Sequence, residues 1–253
     1  MVSELSGQVA LITGGVRGIG RVIAEALLDR GARVAVGYSR SWTAAEAFIE
    51  RNGARGVSVH QGSIADPLDC ERVVVEAIDR HGRLDILVNG AGLTIDPMME
   101  PGSEAWERAV RTNVEGAFAM ARAALPHMLA QRHGRIIGIS PAGPDDPRHS
   151  DAVSAVQFDL TARLAEEVAG RGVTVNCITP GEQWPLEPLE DAVATTDGSL
   201  RRLSRAAEVT RLAMLLASPQ AGDITGQVYS LDGGLNLCVR PSRSMTLTKR
   251  SSR

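Results

Sequence analysis

Short apolar runs alternate with amphipathic stretches along most of the chain. The first run, 8–13, is followed by a stretch in which apolar residues recur every three or four positions until Gly31, as on one face of a helix. The predicted strands span residues 8–13, 33–37, 57–60, 84–89, 135–140, 173–179 and 227–231. The further predicted helices span residues 42–52, 66–81, 103–131, 151–170 and 206–217.

Strands that are apolar throughout and alternate with helices are typical of a parallel sheet covered on both faces. The pattern therefore predicts an α/β protein with a single doubly wound parallel sheet and helices on both faces. We expect one domain over residues 1–238. Within it, residues 182–205 are rich in Pro, Glu, Asp and Thr and predict a lid or substrate loop. The basic segment 239–253 is expected to be a disordered tail.

Charge and composition narrow the possible partners. The net charge is −3, but the last fourteen residues hold five basic residues and no acid, so the rest is clearly acidic. An acidic body does not attract a phosphate backbone, so we expect no nucleic-acid partner. No apolar run approaches the roughly 20 residues of a membrane helix. Three scattered cysteines and no signal-peptide pattern predict a cytoplasmic protein with free thiols. No cluster has metal-ligand spacing, so we predict no metal site.

A glycine-rich turn, 13–20 (TGGVRGIG), lies between the first predicted strand and the first predicted helix. Glycines let the backbone approach a ligand closely, and the free N–H groups of a helix N-terminus attract anions. In this context the turn predicts a site for the pyrophosphate of a dinucleotide.

Further motifs follow in a characteristic order. They are 89–92 (NGAG), Asn113, 134–140 (GRIIGIS), 175–176 (VN), 180–181 (PG), 224–226 (ITG) and 232–234 (DGG). With the glycine-rich turn, they make the chain resemble the short-chain dehydrogenase/reductase family from about residue 8 to residue 236. The 3-oxoacyl-acyl-carrier-protein reductases are the most similar group. The resemblance implies a Rossmann fold and a nicotinamide cofactor. One departure is Gly90, where the family has a second Asn.

The resemblance also implies which residues contact the cofactor. They are Gly14, Arg17, Gly18, Ile19, Gly20, Ser39, Arg40, Ser63, Ile64, Asn89, Ala91, Gly92, Pro180 and Gly181. Sites for NAD place an acid at the end of the second strand, on the ribose 2′-hydroxyl. Here that end carries no acid, and Ser39, Arg40 and Arg17 would instead surround a 2′-phosphate. We therefore predict NADP(H) as the cofactor.

Members of this family use a Tyr as proton donor, a Lys that lowers its pKa, a Ser that polarises the carbonyl, and an assisting Asn. A gap-free match over residues 164–176 places the Tyr position on Ser150 and the Lys position on Ser154. Pro141 stands where the Ser belongs, so Ser140 is one residue early. Asn113 is retained.

No other residue restores the missing pair in an obvious way. The only lysine is Lys249, in the tail, and the two tyrosines, Tyr38 and Tyr229, belong to other strands. His149 is a candidate replacement acid because imidazole titrates near neutrality. The carboxylates nearby are Asp145, Asp146, Asp151 and Glu182. An alternative is that these acids only cap the helix and solvate a loop. The candidate catalytic residues are therefore Asn113, Ser140, Ser150, Ser154 and His149.

A serine hydroxyl is too weak an acid to replace a tuned tyrosine, so ordinary ketoreduction should be very slow and enzymatic activity is an open question. One hypothesis is an NADP(H)-binding protein with a non-standard site for a carbonyl, acyl or polyketide-like substrate. The others are a non-redox dehydratase, isomerase or cyclase, and a catalytically silent subunit. Expected partners are a small-molecule or acyl-carrier-bound substrate. The resemblance implies a homotetramer or a hetero-oligomer with an intact homologue.

Overall fold

The computed structural model describes residues 4–92, 100, 102–140, 150–180 and 206–231. Its strands are β1 (Val9–Thr13), β2 (Arg33–Tyr38), β3 (Val57–Gln61), β4 (Ile86–Asn89), β5 (Gly134–Ile139), β6 (Val173–Pro180) and β7 (Val228–Leu231). They form one parallel sheet in the order β3-β2-β1-β4-β5-β6-β7. The predicted α/β class, with its doubly wound parallel sheet, is confirmed.

The helices pack on both faces of this sheet. They are α1 (Gly18–Asp29), α2 (Trp42–Asn52), α3 (Pro67–His81), α4 (Glu104–Val110), α5 (Ala117–Gln131), α6 (Ser150–Glu167) and α7 (Ala206–Ala217). Successive apolar residues of a strand point to opposite faces, so Leu11 belongs to one core and Ile12 to the other. One core contains apolar residues of α1, α2 and α7, and the second contains those of α3, α5 and α6.

Two helix boundaries differ from the prediction. The region 103–131 is not one regular helix, because a π-helical turn, Arg111–Gly116, separates α4 from α5. At Gly116 the backbone lies so close to the carbonyl of Ile64 that a Cβ would be 2.5 Å from its oxygen. This contact forms only in the folded chain, so a helical pattern could not reveal it. Helix α6 ends at Glu167 rather than at residue 170, and Gly170, with φ 71°, lies in the turn that follows.

The order of the strands creates a crevice at one edge of the sheet. Strand β1 lies between β2 and β4, and Thr13 pairs with both Gly37 and Asn89 at the carboxyl ends of these strands. In open parallel sheets, ligands bind where the direction of strand succession reverses. The described chain therefore offers a ligand site where the glycine-rich turn follows β1.

The predicted loop 182–205 and tail 239–253 lie outside the described residues. The domain boundary at residue 238 also stays a prediction for this reason. Within the described ranges, no helix is both long enough and apolar enough to cross a membrane.

Candidate cofactor and active site

A cleft of about 1450 Å³ opens at the carboxyl ends of the central strands. It brings together most of the residues that were predicted to bind the cofactor. These are Gly14, Arg17, Gly18, Ile19, Gly20, Ser39, Arg40, Ser63, Ile64, Ala91, Gly92 and Pro180. Asn89 borders a smaller cavity beside the cleft, and Gly181 lies outside the described residues.

At two of its glycines the turn 13–20 does not accommodate a side chain without strain or a clash. Gly14 has φ 67°, and a Cβ on Gly20 would be 2.5 Å from the carbonyl oxygen of Gly14. Helix α1 begins at Gly18 with no side-chain cap on its N–H groups and no acid in its first turn. These N–H groups are therefore available to an anion. The turn fits the pyrophosphate of a dinucleotide.

The side chain of Thr13 joins the ends of β1 and β4. Its Oγ1 accepts hydrogen bonds of 3.1 Å from the backbone N–H groups of both Gly90 and Ala91. A Cβ on Gly90 would be 3.0 Å from the carbonyl oxygen of Thr13. Gly90, where the chain departs from the family motif, therefore suits the close approach of these two strand ends.

Exposed positive charge lines the cleft just after β2 and at the start of α1. Arg17 and Arg40 are both exposed at the cleft, and neither forms an ion pair with any residue the structure describes. Asp69 also lines the cleft, but it accepts a 2.8 Å hydrogen bond from the backbone N–H of Ser63 and pairs with Arg72. The free cations of this region would favour an anionic group on the adenosine ribose.

Three of the predicted catalytic positions, Asn113, Ser140 and Ser154, are joined by a part-buried hydrogen-bonded network. Asn113 lies in the π-helical turn and Ser140 at the end of β5, each with 1% of its surface exposed. The Oγ of Ser140 lies 3.3 Å from the Oγ of Ser154 and donates to the Oε1 of Gln157 at 2.6 Å. The Nε2 of Gln157 donates to the backbone carbonyl of Asn113 at 2.5 Å.

Sequence reasoning did not select Gln157. The sequence did contain one indication of its role. Gln157 lies three residues after Ser154, and residues three apart share a face of a helix, so the two side chains are expected on the same side of α6. Through this side chain the structure connects Asn113, Ser140 and Ser154. It does not describe the side chains of Ser150 and Asp151, nor does it describe His149, Asp145, Asp146 or Glu182.

The described network contains no titratable group, because it consists of two hydroxyls, a carboxamide and a backbone carbonyl. Tyr38 is on β2, which β1 and β4 separate from β5, and Tyr229 is on β7, beyond β6. Neither phenol therefore lies on a strand next to Ser140. Among these described groups, none can act as an ordinary acid at neutral pH.

A small cavity of about 60 Å³ lies next to Ser140 and Gln157. At its border, the Nδ2 of Asn89 donates to the carbonyl of Ala117 at 2.9 Å, and the Oδ1 is buried with no hydrogen-bond partner in the described structure. Cys177 also borders the cavity, and burial raises the pKa of its thiol to about 12. This thiol therefore stays protonated and does not supply a nucleophile.

No group of three or more His, Cys, Asp and Glu residues within the described ranges is arranged to hold a metal ion.

The parallel sheet and the glycine-rich turn before α1 are typical of a dinucleotide-binding protein, and the comparison with known sequences gives its family. Residues 8–183 match the short chain dehydrogenase family, so the chain belongs to it. The predicted resemblance is confirmed.

Several relatives are similar to nearly the whole chain. The 3-oxoacyl-[acyl-carrier-protein] reductase of Synechocystis sp. is 36% identical over 251 residues, covering 92% of this chain and 99% of the relative. The enzyme of the same name from Staphylococcus aureus is 35% identical over 240 residues, with 89% and 97% covered. That of Escherichia coli is 36% identical over 242 residues, with 92% and 98% covered.

Proposed function

We propose that this protein binds NADP(H) in the large cleft and takes a carbonyl or acyl substrate at a non-standard catalytic site. The observation that carries the proposal is the uncapped start of α1 above the turn 13–20, with Arg17 and Arg40 free at the adenosine end. The names of the relatives support an acyl substrate carried on acyl carrier protein.

Different residues along the cleft would bind different parts of the cofactor. The N–H groups at the start of α1 hold the pyrophosphate, and Ser39, Arg40 and Arg17 hold the 2′-phosphate. When bound, the nicotinamide supplies or accepts a hydride. The hydroxyl proton of Ser140 points to Gln157, so this serine offers a substrate oxygen no free proton. Reduction of a ketone should therefore be slow compared with that by a relative with a tuned acid.

The first test is a titration of the protein with NADPH and with NADH, followed by cofactor fluorescence. We expect binding that favours NADPH. Arg40→Ala should weaken NADPH binding by about 10- to 100-fold, since a hydrogen bond to a charged group contributes about 1.5–3 kcal/mol. NADH binding should change little, because NADH has no 2′-phosphate.

The matched control is Arg51→Ala. Arg51 is an exposed arginine on α2 that pairs with Glu25 at 3.3 Å and does not line the cleft. Its removal should leave the affinity for both cofactors unchanged. If neither cofactor binds the unaltered protein, the redox proposal is wrong and the cleft serves another purpose.

A second candidate function is a catalytically silent subunit that pairs with an intact homologue. It is favoured by the uncharged network that joins Ser140, Gln157 and Asn113. In that case the protein would bind NADPH, show no turnover alone and co-purify with the homologue from the native cell. A stable assembly of this chain alone, with measurable turnover, would argue for the first candidate.

A further inference from the structure

A second polar cluster lies between the edge strand β3 and helix α3. Ser58 and His60 are two residues apart on β3, so their side chains share one face of the sheet. The Oγ of Ser58 lies 2.8 Å from the Nε2 of His60 and 2.8 Å from the Nε2 of His81. The Nδ1 of His60 lies 3.0 Å from the Oε2 of Glu76. Neither the cofactor nor the proposed substrate chemistry requires this arrangement.

The charges of the neighbours determine where the protons lie around His60. Burial alone would raise the pKa of Glu76, but hydrogen bonds from Arg72 and His60 outweigh burial and hold this pKa below its usual value. The carboxylate is therefore ionised and can only accept, so the Nδ1 of His60 carries the proton. In a neutral His60 ring, the Nε2 then presents its lone pair to the hydroxyl of Ser58.

His81 completes the pattern on the other side of Ser58. Burial above all, and then the charge of Arg33, lowers the pKa of His81 to about 4, so its ring is neutral at physiological pH. A neutral His81 with its proton on Nε2 donates to the oxygen of Ser58. The hydroxyl proton of Ser58 is then directed at His60, and all three hydrogen bonds are satisfied.

We propose that Ser58 is a nucleophilic centre, which takes an acyl group from an activated ester or thioester with His60 as general base. A serine hydrogen-bonded to an imidazole that is oriented by a carboxylate is the arrangement that activates a hydroxyl for acyl transfer. The Oγ attacks the acyl carbon while the Nε2 of His60 takes the hydroxyl proton. The bond to the leaving group then breaks, and His60 returns the proton to the departing alcohol or thiol. The products are acyl-Ser58 and the free alcohol or thiol.

The position of the cluster permits access to an acyl donor. Ser58 is partly exposed, whereas His60 and His81 are each only 7% exposed and hold it from the inner side. Strand β3 is the outermost strand at its edge of the described sheet, so no further described strand pairs with its outer side. His60 and Glu76 also line the large cleft, so solvent in the cleft reaches the imidazole that acts as general base.

The test treats the full chain with p-nitrophenyl acetate and, separately, with an aryl fluorophosphonate, and then locates the adduct by peptide mass spectrometry. We expect one acyl or phosphonyl group on Ser58 and none on this peptide in Ser58→Ala. His60→Gln should slow the labelling by about 10²–10⁴-fold, the usual contribution of a general base. Glu76→Gln, which keeps the shape of the side chain but removes its charge, should slow it by a smaller factor.

The matched control is Glu71→Gln, the same change at an exposed position of α3 outside the cluster, and it should label at the original rate. Urea denaturation of each variant separates loss of fold from loss of reactivity. The proposal is overturned if the protein carries no adduct, if the adduct lies elsewhere, or if Glu76→Gln and His60→Gln both label at the original rate. These outcomes are independent of whether NADPH binds, so the two proposals can fail separately.

Discussion

Gly20, in the first turn of α1, lies against the backbone of Gly14, just after β1. A Cβ at this position would be 2.5 Å from a backbone oxygen that cannot move without reshaping the turn. We expect Gly20→Ala to weaken NADPH binding by at least about fivefold, because overpacking costs about 1–3 kcal/mol. The measurement is the dissociation constant from cofactor fluorescence, together with the free energy of unfolding in urea.

Gly53→Ala is the control for this substitution. Gly53 has φ −57°, and the nearest atom to an added Cβ is a side-chain methyl group of Ile49 at 3.5 Å. Alanine fits this backbone and should leave NADPH binding unchanged. Equal losses of affinity in both variants would show that the close contact at Gly20 is not what shapes the phosphate site.

Comparison with the family motifs locates Asn113, Ser140 and Ser154 in the sequence but not Gln157. Motif matching assigns a role to a position only where the family has one. The role of Gln157 arises from packing, since its carboxamide reaches Ser140, just after β5, and the carbonyl of Asn113 in the π-helical turn. Only the docking of α6 against the π-helical turn brings these atoms together.

Protonation of His81, at the end of α3 beside β3, makes the free energy of unfolding depend on pH. The pKa of His81 in the folded chain, about 4, lies below the ordinary value of 6.5, chiefly because the ring is buried. In the unfolded chain, the His81 ring therefore becomes protonated below about pH 6.5. In the folded chain, it becomes protonated only below about pH 4. The stabilising contribution is complete above pH 6.5 and is lost as the pH falls from 6.5 to 4.

We expect the free energy of unfolding of the wild-type protein to fall more steeply over this interval than that of His81→Gln. The difference in slope should reach at most about 1.4 kcal/mol per pH unit, the value for one proton. Urea denaturation at several pH values measures it. His127→Gln, at an exposed position of α5, should follow the wild-type slope. Coincident slopes for His81→Gln and the wild type would refute the burial argument.

The whole molecule has the fold of its family but lacks the Ser, Tyr and Lys that the family uses for catalysis. We expect the remaining pocket to support ketone reduction once these three residues are restored. If so, the triple variant Pro141→Ser, Ser150→Tyr, Ser154→Lys should gain NADPH-dependent reduction of a 3-oxoacyl thioester. A gain of about 10²-fold or more is expected from a restored general acid. The measurement is the loss of NADPH absorbance in the presence of the thioester.

The control carries side chains of similar size without the acid or the charge, as Pro141→Ser, Ser150→Phe, Ser154→Met. It should remain as slow as the wild-type protein. No gain in the tyrosine–lysine variant, although it still binds NADPH, would mean that the rest of the pocket is not built for this reaction.

The sequence by itself determined the fold class, the order of the elements and the family. Apolar periodicity identifies strands and helices because a buried element must carry apolar residues at its own period, and Gly14 and Gly20 report a turn that only glycine tolerates. The tertiary structure alone decided what requires contact between distant segments. The π-helical turn, the bridge made by Gln157 and the cluster of Ser58, His60, His81 and Glu76 each depend on atoms that meet only when helices pack on the sheet.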